Sequence, residues 1–369
     1  MGIFKYLIIL LFFINLFCQA TYAQDPNFTQ FLNKPLYYNP GFAGINAGLD
    51  VNVSYRRLWP GIPGKFETCF ISLNKSFWIL NKKDKEMGLG GFGLTVLSGT
   101  EGDGSLKTIS LGIPFSSRVK VGNKSYLYVG IMPSIVQKTI FWDELIFRDQ
   151  LDPYYGVIYP SSFHKPDNSQ KLFFDISFGV VYKYEKPPGK NTDKHTVLRS
   201  GISIFHATSP NQSFFAGVDS PLPFKVVIYN DLFLPISKKN YRNPEVLINP
   251  GLLFEIQGPC RSFNFGFDLH CNDLLIGIWY RNKNLQARNT NAICCLVGYQ
   301  YKIKKTNAEI SYSYDFTLSK LSSSATGSHE ITLQFSFEKL IFNREDEICY
   351  IHQKEKRFKK KLLKSRRKY

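Results

Sequence analysis

The chain has 369 residues, 44% hydrophobic and 15% aromatic, a composition that excludes an intrinsically disordered polymer. Its formal net charge of +17 raises nucleic acid as a partner, but residues 354–369 hold ten Lys/Arg and one Glu, leaving +8 for the first 353 residues. The excess belongs to one appendage, and a chain-wide nucleic-acid surface is excluded.

Residues 1–23 read as a secretory signal peptide: a short charged start to Lys5, an apolar run over 6–17 broken only by Asn15, and Thr21-Tyr22-Ala23 as the cleavage site. The apolar run is short of the roughly 20 residues a spanning helix needs. Bulky Phe17 before Cys18 argues against lipidation. The next segment, 24–47, carries Pro26, Pro35 and Pro40 among several Asn and Gly, and is too broken for a long helix or strand. It is expected to tuck against or inside the domain that follows, over 48–338.

From Gly48 onward the periodicity is two. Phe174, Ile176, Phe178, Val180, Tyr182 and Tyr184 alternate with Asp175, Ser177, Gly179, Val181 and Lys183; Phe263 to Leu269, Ala308 to Phe316 and Ile331 to Phe337 repeat the pattern. A soluble sandwich and a membrane barrel both produce such faces. Three features favour the barrel: aromatic residues at the ends of the apolar face (Tyr182/Tyr184, Tyr312/Tyr314, Trp279/Tyr280), a small, polar opposite face, and turn-like joints such as 81–85, 122–124 and 187–191. Strand-like segments fall near 49–57, 66–78, 87–98, 105–118, 125–137, 171–184, 196–208, 222–235, 245–257, 260–270, 273–283, 291–304, 305–317 and 327–338. The fold class expected is therefore all-β, a transmembrane antiparallel β-barrel of about 14 strands with an irregular, plug-like N-terminal segment. Residues 141–171 read as a long extracellular loop, and 339–369 as a basic extension, either a solvated tail or a periplasmic arm for anionic lipid or an acidic partner.

Chemistry-bearing constellations are sparse. Gly88-Leu89-Gly90-Gly91-Phe92-Gly93 has a dinucleotide-binding spelling, but no helix follows it, and strand glycines that admit close neighbours explain it better. His206 with Thr208 and Ser209 is the nearest approach to a hydrolase site and reads as strand-end turn residues. The six mature cysteines have no zinc spacing; Cys260 and Cys271 lie too far apart along an extended segment to bridge, and Cys294 and Cys295 face opposite sides of a strand. No enzyme, metal or cofactor is expected.

Short motifs in order carry a resemblance. Gln30-Phe31-x-Asn33-x-Pro35, Tyr38-Asn39-Pro40, Gly44, Tyr55-Arg56-x-x-Trp59 and Gly61 open it; Asp152-Pro153, Gly201-Ile202-Ser203, Pro210-Asn211 and Tyr280-Arg281-Asn282 continue it; Ser313-Tyr314-Asp315 and Gly327-Ser328-His329-Glu330-Ile331 close it. Over 24–337 the chain resembles the PorP/SprF family of type IX secretion system membrane proteins. The resemblance implies a non-enzymatic barrel in the bacterial outer membrane that supports secretion or surface anchoring of a large adhesin, with a link to gliding motility. The implied partners are the C-terminal signal domain of that cargo, other secretion subunits and outer-membrane lipid, with no nucleic acid. Leu58 stands where the family usually has Gln before the early Trp, and the basic tail is not general to the family.

The candidate structural or cargo-contact residues are Asn33, Pro35, Asn39, Pro40, Gly44, Arg56, Trp59, Asp315, His329 and Glu330. Pro presets φ, Asn caps turns and Gly permits positive φ, so the N-terminal set suits a rigid seat, whether structural or cargo-binding. Arg56 in the first strand and Glu330 in the last would form a lumen ion pair where the barrel closes. The alternative function is a passive channel for small or hydrophobic solutes.

Overall fold

The computed structural model of the chain describes residues 25–80, 86–102, 106–166, 168–186, 196–236, 246–282, 291–303, 306–318 and 326–337. The signal-peptide reading, the turns 81–85 and 187–191, Cys349 and the basic extension lie outside them.

Among the described residues seventeen strands follow in chain order: β1 (Leu49–Leu58), β2 (Lys65–Leu80), β3 (Glu86–Gly102), β4 (Leu106–Gly112), β5 (Phe115–Lys120), β6 (Ser125–Thr139), β7 (Leu151–Asp152), β8 (Gly156–Val157), β9 (Gln170–Lys186), β10 (Thr196–Phe205), β11 (Lys225–Pro235), β12 (Val246–Gln257), β13 (Cys260–Cys271), β14 (Leu274–Asn282), β15 (Asn291–Ile303), β16 (Thr306–Thr317) and β17 (Ser328–Phe337). β7 and β8 form a small hairpin of their own, while each other strand pairs antiparallel with its neighbours. β1 pairs with β17 from Leu49↔Phe337 to Leu58↔Ser328, which closes the sheet into a barrel. β4 and β5 share one barrel position, both pairing with β3 and β6, so the barrel has fourteen strand positions.

Several boundaries differ from the sequence reading by a few residues, and two of them have a clear local cause. The strand expected over 105–118 is interrupted at Ile113 and Pro114; Pro has no N–H to donate, but the Pro114 carbonyl accepts from Gly93 at 2.8 Å and Ile113 N–H donates to Pro133 at 3.0 Å, so the sheet stays joined. The strand expected over 196–208 ends at Phe205 because His206 is left-handed, with φ of 59°.

The outward face is apolar and open: Phe174, Phe178, Ile202, Phe265, Phe267, Ile276, Ile278, Ile310, Phe316, Ile331 and Phe335 are all exposed. That is the surface lipid requires, and strands of 9 to 17 residues in thirteen of the fourteen positions are long enough to cross a bilayer. Trp279, expected in the outer aromatic girdle, turns inward instead; it is buried and its indole N–H donates to Asp268 at 2.7 Å. The inner face is also less uniformly small and polar than expected. Tyr128, Val181, Val227, Tyr229, Leu253 and Trp279 join Phe31, Leu36, Tyr38 and Phe42 in one hydrophobic core inside the lumen. The barrel thus has an apolar interior because residues 25–47 fill it.

Leu49 and Phe337 mark one end of the barrel, called here the termini end. The long connections 140–169 and 206–224 stand at the other, the loop end.

Candidate functional site: the seated N-terminal segment

The segment is a series of short turns. A 3-10 turn Phe31–Asn33 leads into a single helical turn Pro35–Tyr38 with Pro35 at its first position, then a second 3-10 turn Pro40–Phe42. Proline at these starts loses no hydrogen bond, since the first N–H groups of a helical turn have no internal partner. Asn39 caps the last turn, its Oδ1 accepting from Gly41 N–H at 2.8 Å. The chain enters beside Gln257 at the loop end, where Asp25 N–H donates to the Gln257 side chain, and leaves at the termini end, where Gly48 N–H donates to Ser76 Oγ. It therefore runs the length of the lumen.

Its strongest attachment lies at the closing seam. Glu330 accepts from Lys34 Nζ at 2.5 Å, from Arg56 at 2.7 Å and from the backbone N–H groups of Thr29 and Gln30 at 2.7 and 3.2 Å. Asp315 accepts from Arg56 at 2.6 Å, from Thr29 Oγ1 at 2.8 Å and from Arg281. Lys34, Arg56, Glu330 and Asp315 are almost completely buried. Charges withdrawn from water to this degree are tolerable only when paired and hydrogen-bonded on most of their polar atoms. Lys34 meets that condition, donating also to Thr332 Oγ1 and the Gln30 carbonyl. The network ties four separate strands, β1, β14, β16 and β17, to the first turn of the segment.

A second attachment uses absence of side chains. Asn39 Nδ2 donates to the backbone carbonyls of Val180 on β9 and Ile202 on β10, at 3.1 and 3.0 Å. It can reach the sheet because Gly179 and Gly201 lie beneath it; a Cβ on Gly179 would collide with Asn39 Oδ1, and one on Gly201 would come within 2.8 Å of Asn39 Nδ2. Ser203 Oγ donates to the Tyr38 carbonyl at 2.6 Å. Further along, Gly44 has φ of 68° and packs backbone-to-backbone on Gly90 and Gly91, while its N–H donates to Asn74 at 2.7 Å. The glycine-rich run of β3 is thus a contact surface for the segment.

At the loop end, His206 sits between two carboxylates, Asp175 at 2.7 Å and Asp25 at 2.9 Å, and Lys225 pairs with Glu255 at 2.7 Å. Burial alone would lower the His206 pKa, but Asp25 and Asp175 outweigh it and raise the value to about 9. Burial opposes ionisation of Asp25 as well, yet His206 and then Lys225 hold its carboxyl well below the usual range. Both imidazole nitrogens are taken up by carboxylates, and Thr208 donates to Asp175, so this cluster holds no histidine poised to activate a nucleophile.

Eight of the ten candidate residues meet in this assembly. Asn33 donates to Glu309 and accepts from Asn52; Pro35, Asn39, Pro40 and Gly44 shape the segment; Arg56, Asp315 and Glu330 hold it. Arg56 and Glu330 are direct partners in the β1–β17 register as well as an ion pair. Trp59 lies apart at the rim, with φ of 48° and its N–H on the Gly327 carbonyl. His329 faces outward, its Nδ1 2.7 Å from Tyr312 Oη, and takes no part in the lumen. Residues outside the candidate set include Thr29, Lys34, Asn74 and Asp25, which lack any local pattern, and Arg281, met only within the motif Tyr280-Arg281-Asn282; only the pairing of strands far apart in sequence brings them together. The described cysteines are all free.

Above the segment the two long connections pack on each other through Trp142, Phe147, Phe163, Phe214 and Phe215, with Phe147 and Phe163 stacked at 4.6 Å. Asp152 fixes a turn by accepting from Tyr154 and Tyr155 N–H, and both tyrosine rings project outward, 92% and 81% exposed.

Among curated proteins no relative matches this sequence. Solved structures with a similar fold include a FadL homologue from Pseudomonas aeruginosa (12% identity, covering 83% of this chain and 94% of that one, TM-score 0.41), the Pseudomonas putida toluene transporter TodX (9%, 83% and 94%, 0.41) and Omp33 of Acinetobacter baumannii (7%, 80% and 100%, 0.37). Residues 20–335 match the type IX secretion system membrane protein family PorP/SprF, a span that contains the seam network, the Asn39 seat and the loop-end platform. The chain belongs to the PorP/SprF family of type IX secretion system membrane proteins.

Proposed function

We propose that this protein supports secretion or surface anchoring of a large adhesin-type cargo, linked to gliding motility, and that it works by protein recognition without catalysis. The observation that carries the reading is the seated segment: a barrel whose lumen is filled by its own chain, anchored by buried charges, is suited to a rigid scaffold. The loop-end platform with Tyr154 and Tyr155 supplies the contact surface, since exposed tyrosines on ordered loops are efficient recognition residues. In this reading the loop end faces outward and the termini end the periplasm, following the usual placing of long loops in such barrels. The cargo contact is the C-terminal signal domain of the adhesin, and the N-terminal signal peptide routes the chain to export.

Deleting the gene and taking a census of secreted and surface proteins tests the proposal. Loss of one or a few large adhesins from the surface is expected. Unchanged export of every large adhesin, with slowed uptake of a small solute, would favour the channel reading.

A further inference from the structure

Beneath the seated segment, at the termini end, lies a cavity of about 290 Å³ bordered by Asp268, Glu309, Asn249, Leu32, Leu36 and Phe233. Three carboxylates line it; Asp50 sits toward the exposed mouth with Asn46, while the two deeper ones are bonded only by neutral groups: Asp268 by the Trp279 indole, Glu309 by the carboxamides of Asn33 and Gln300. Neutral donors satisfy lone pairs but do not cancel charge. The cations on the same wall are already engaged, Arg199 with Asp231 and Lys183 with Glu185 at 3.2 Å.

A third oxygen points the same way. Asn249 lies directly opposite Asp268 in the β12–β13 register, is 2% exposed, and its Oδ1 is buried with no hydrogen-bond partner. Leaving such an acceptor unmet is unfavourable, so an occupant that donates to it is favoured. No group of three His, Cys, Asp or Glu suited to a metal ion exists among the described residues. A compact metal is therefore poorly served, whereas a cation with several N–H donors and a carbon stem fits the spread of oxygens and the Leu32, Leu36 and Phe233 walls.

We infer that this cavity binds an organic cation, a primary ammonium or guanidinium group, with Asp268 and Glu309 as counter-ions and Asn249 Oδ1 as a further acceptor. The group has two possible sources: a free amine, or a Lys/Arg side chain of the chain's own extension, which follows Phe337 at this same end and carries ten Lys/Arg over residues 354–369.

The test is titration of the detergent-solubilised full chain, and of a chain lacking residues 339–369, with putrescine and with arginine methyl ester by calorimetry. Saturable binding is expected, weakened at least tenfold by Asp268→Asn and by Glu309→Gln, which preserve shape, and tightened by Asn249→Asp. Retained heat-modifiability on gels identifies folded variants. Tighter binding to the shortened chain assigns the site to the extension; equal binding to both assigns it to a free amine. Absence of saturable binding to both chains, or binding indifferent to all three substitutions, overturns the inference.

Discussion

Arg56 and Glu330 face each other across the strand pair that closes the barrel and are joined at 2.7 Å, with both side chains withdrawn from water. One ion pair therefore serves two ends: it links first strand to last, and through Lys34 and Thr29 it fixes the lumen segment to that seam.

Glu330→Ala should be the most damaging single change in the network. It leaves Lys34 and Arg56 buried without their shared carboxylate, which typically costs about 3–5 kcal/mol. The temperature at which the barrel band converts on gels should fall markedly. A variant as heat-resistant as the parent would show that the network contributes little.

Gly179→Ala should destabilise the protein by roughly 1–3 kcal/mol, the usual range for overpacking. Its new methyl meets the Asn39 side chain, which is pinned by three hydrogen bonds. Asn39→Ala added to Gly179→Ala should recover part of the loss, because Pro40 Cδ at 2.8 Å still crowds the site. Strictly additive losses by denaturant titration would argue against this contact.

The His206 cluster predicts a pH limb. Its folded pKa, about 9, exceeds the ordinary value near 6.5, so its contribution is complete below about pH 6.5 and disappears as pH rises through about 9. At one pKa unit per ~1.4 kcal/mol, the loss is at most a few kcal/mol. Asp25 gives the opposite limb at acid pH, its contribution fading as the pH falls toward its depressed pKa. Denaturation midpoints at pH 6 and pH 9.5 should differ in the parent, and His206→Asn should remove most of that difference.

Replacing Tyr154 and Tyr155 together by Ala should leave barrel stability unchanged, because both rings are exposed. Surface display of the cargo should drop several-fold in cells carrying the variant. Normal display would move the contact surface elsewhere.

The barrel was readable because its signal is local: alternation along Phe174 to Tyr184 or Ala308 to Phe316 specifies both faces within one strand. Arg56 with Glu330 could be inferred as well, since closure of a meander brings first and last strands together. Trp279 is misplaced in the outer girdle by the sequence reading, because an aromatic suits a lipid girdle and a lumen core equally, and its inward turn depends on Asp268 and Phe31. The seat of Asn39 was hidden for a similar reason. Gly179, Gly201 and Ser203 look like ordinary small strand residues until the segment lying on them is known.

The central claim is that residues 25–47 occupy the lumen as a fixed part of a scaffold. Single-channel recording of the purified full chain in a planar bilayer tests it most directly. The account predicts no stable conductance steps in the parent and their appearance when the seam is weakened by Glu330→Ala. Steady, large conductance in the parent, unchanged by that substitution, would contradict it.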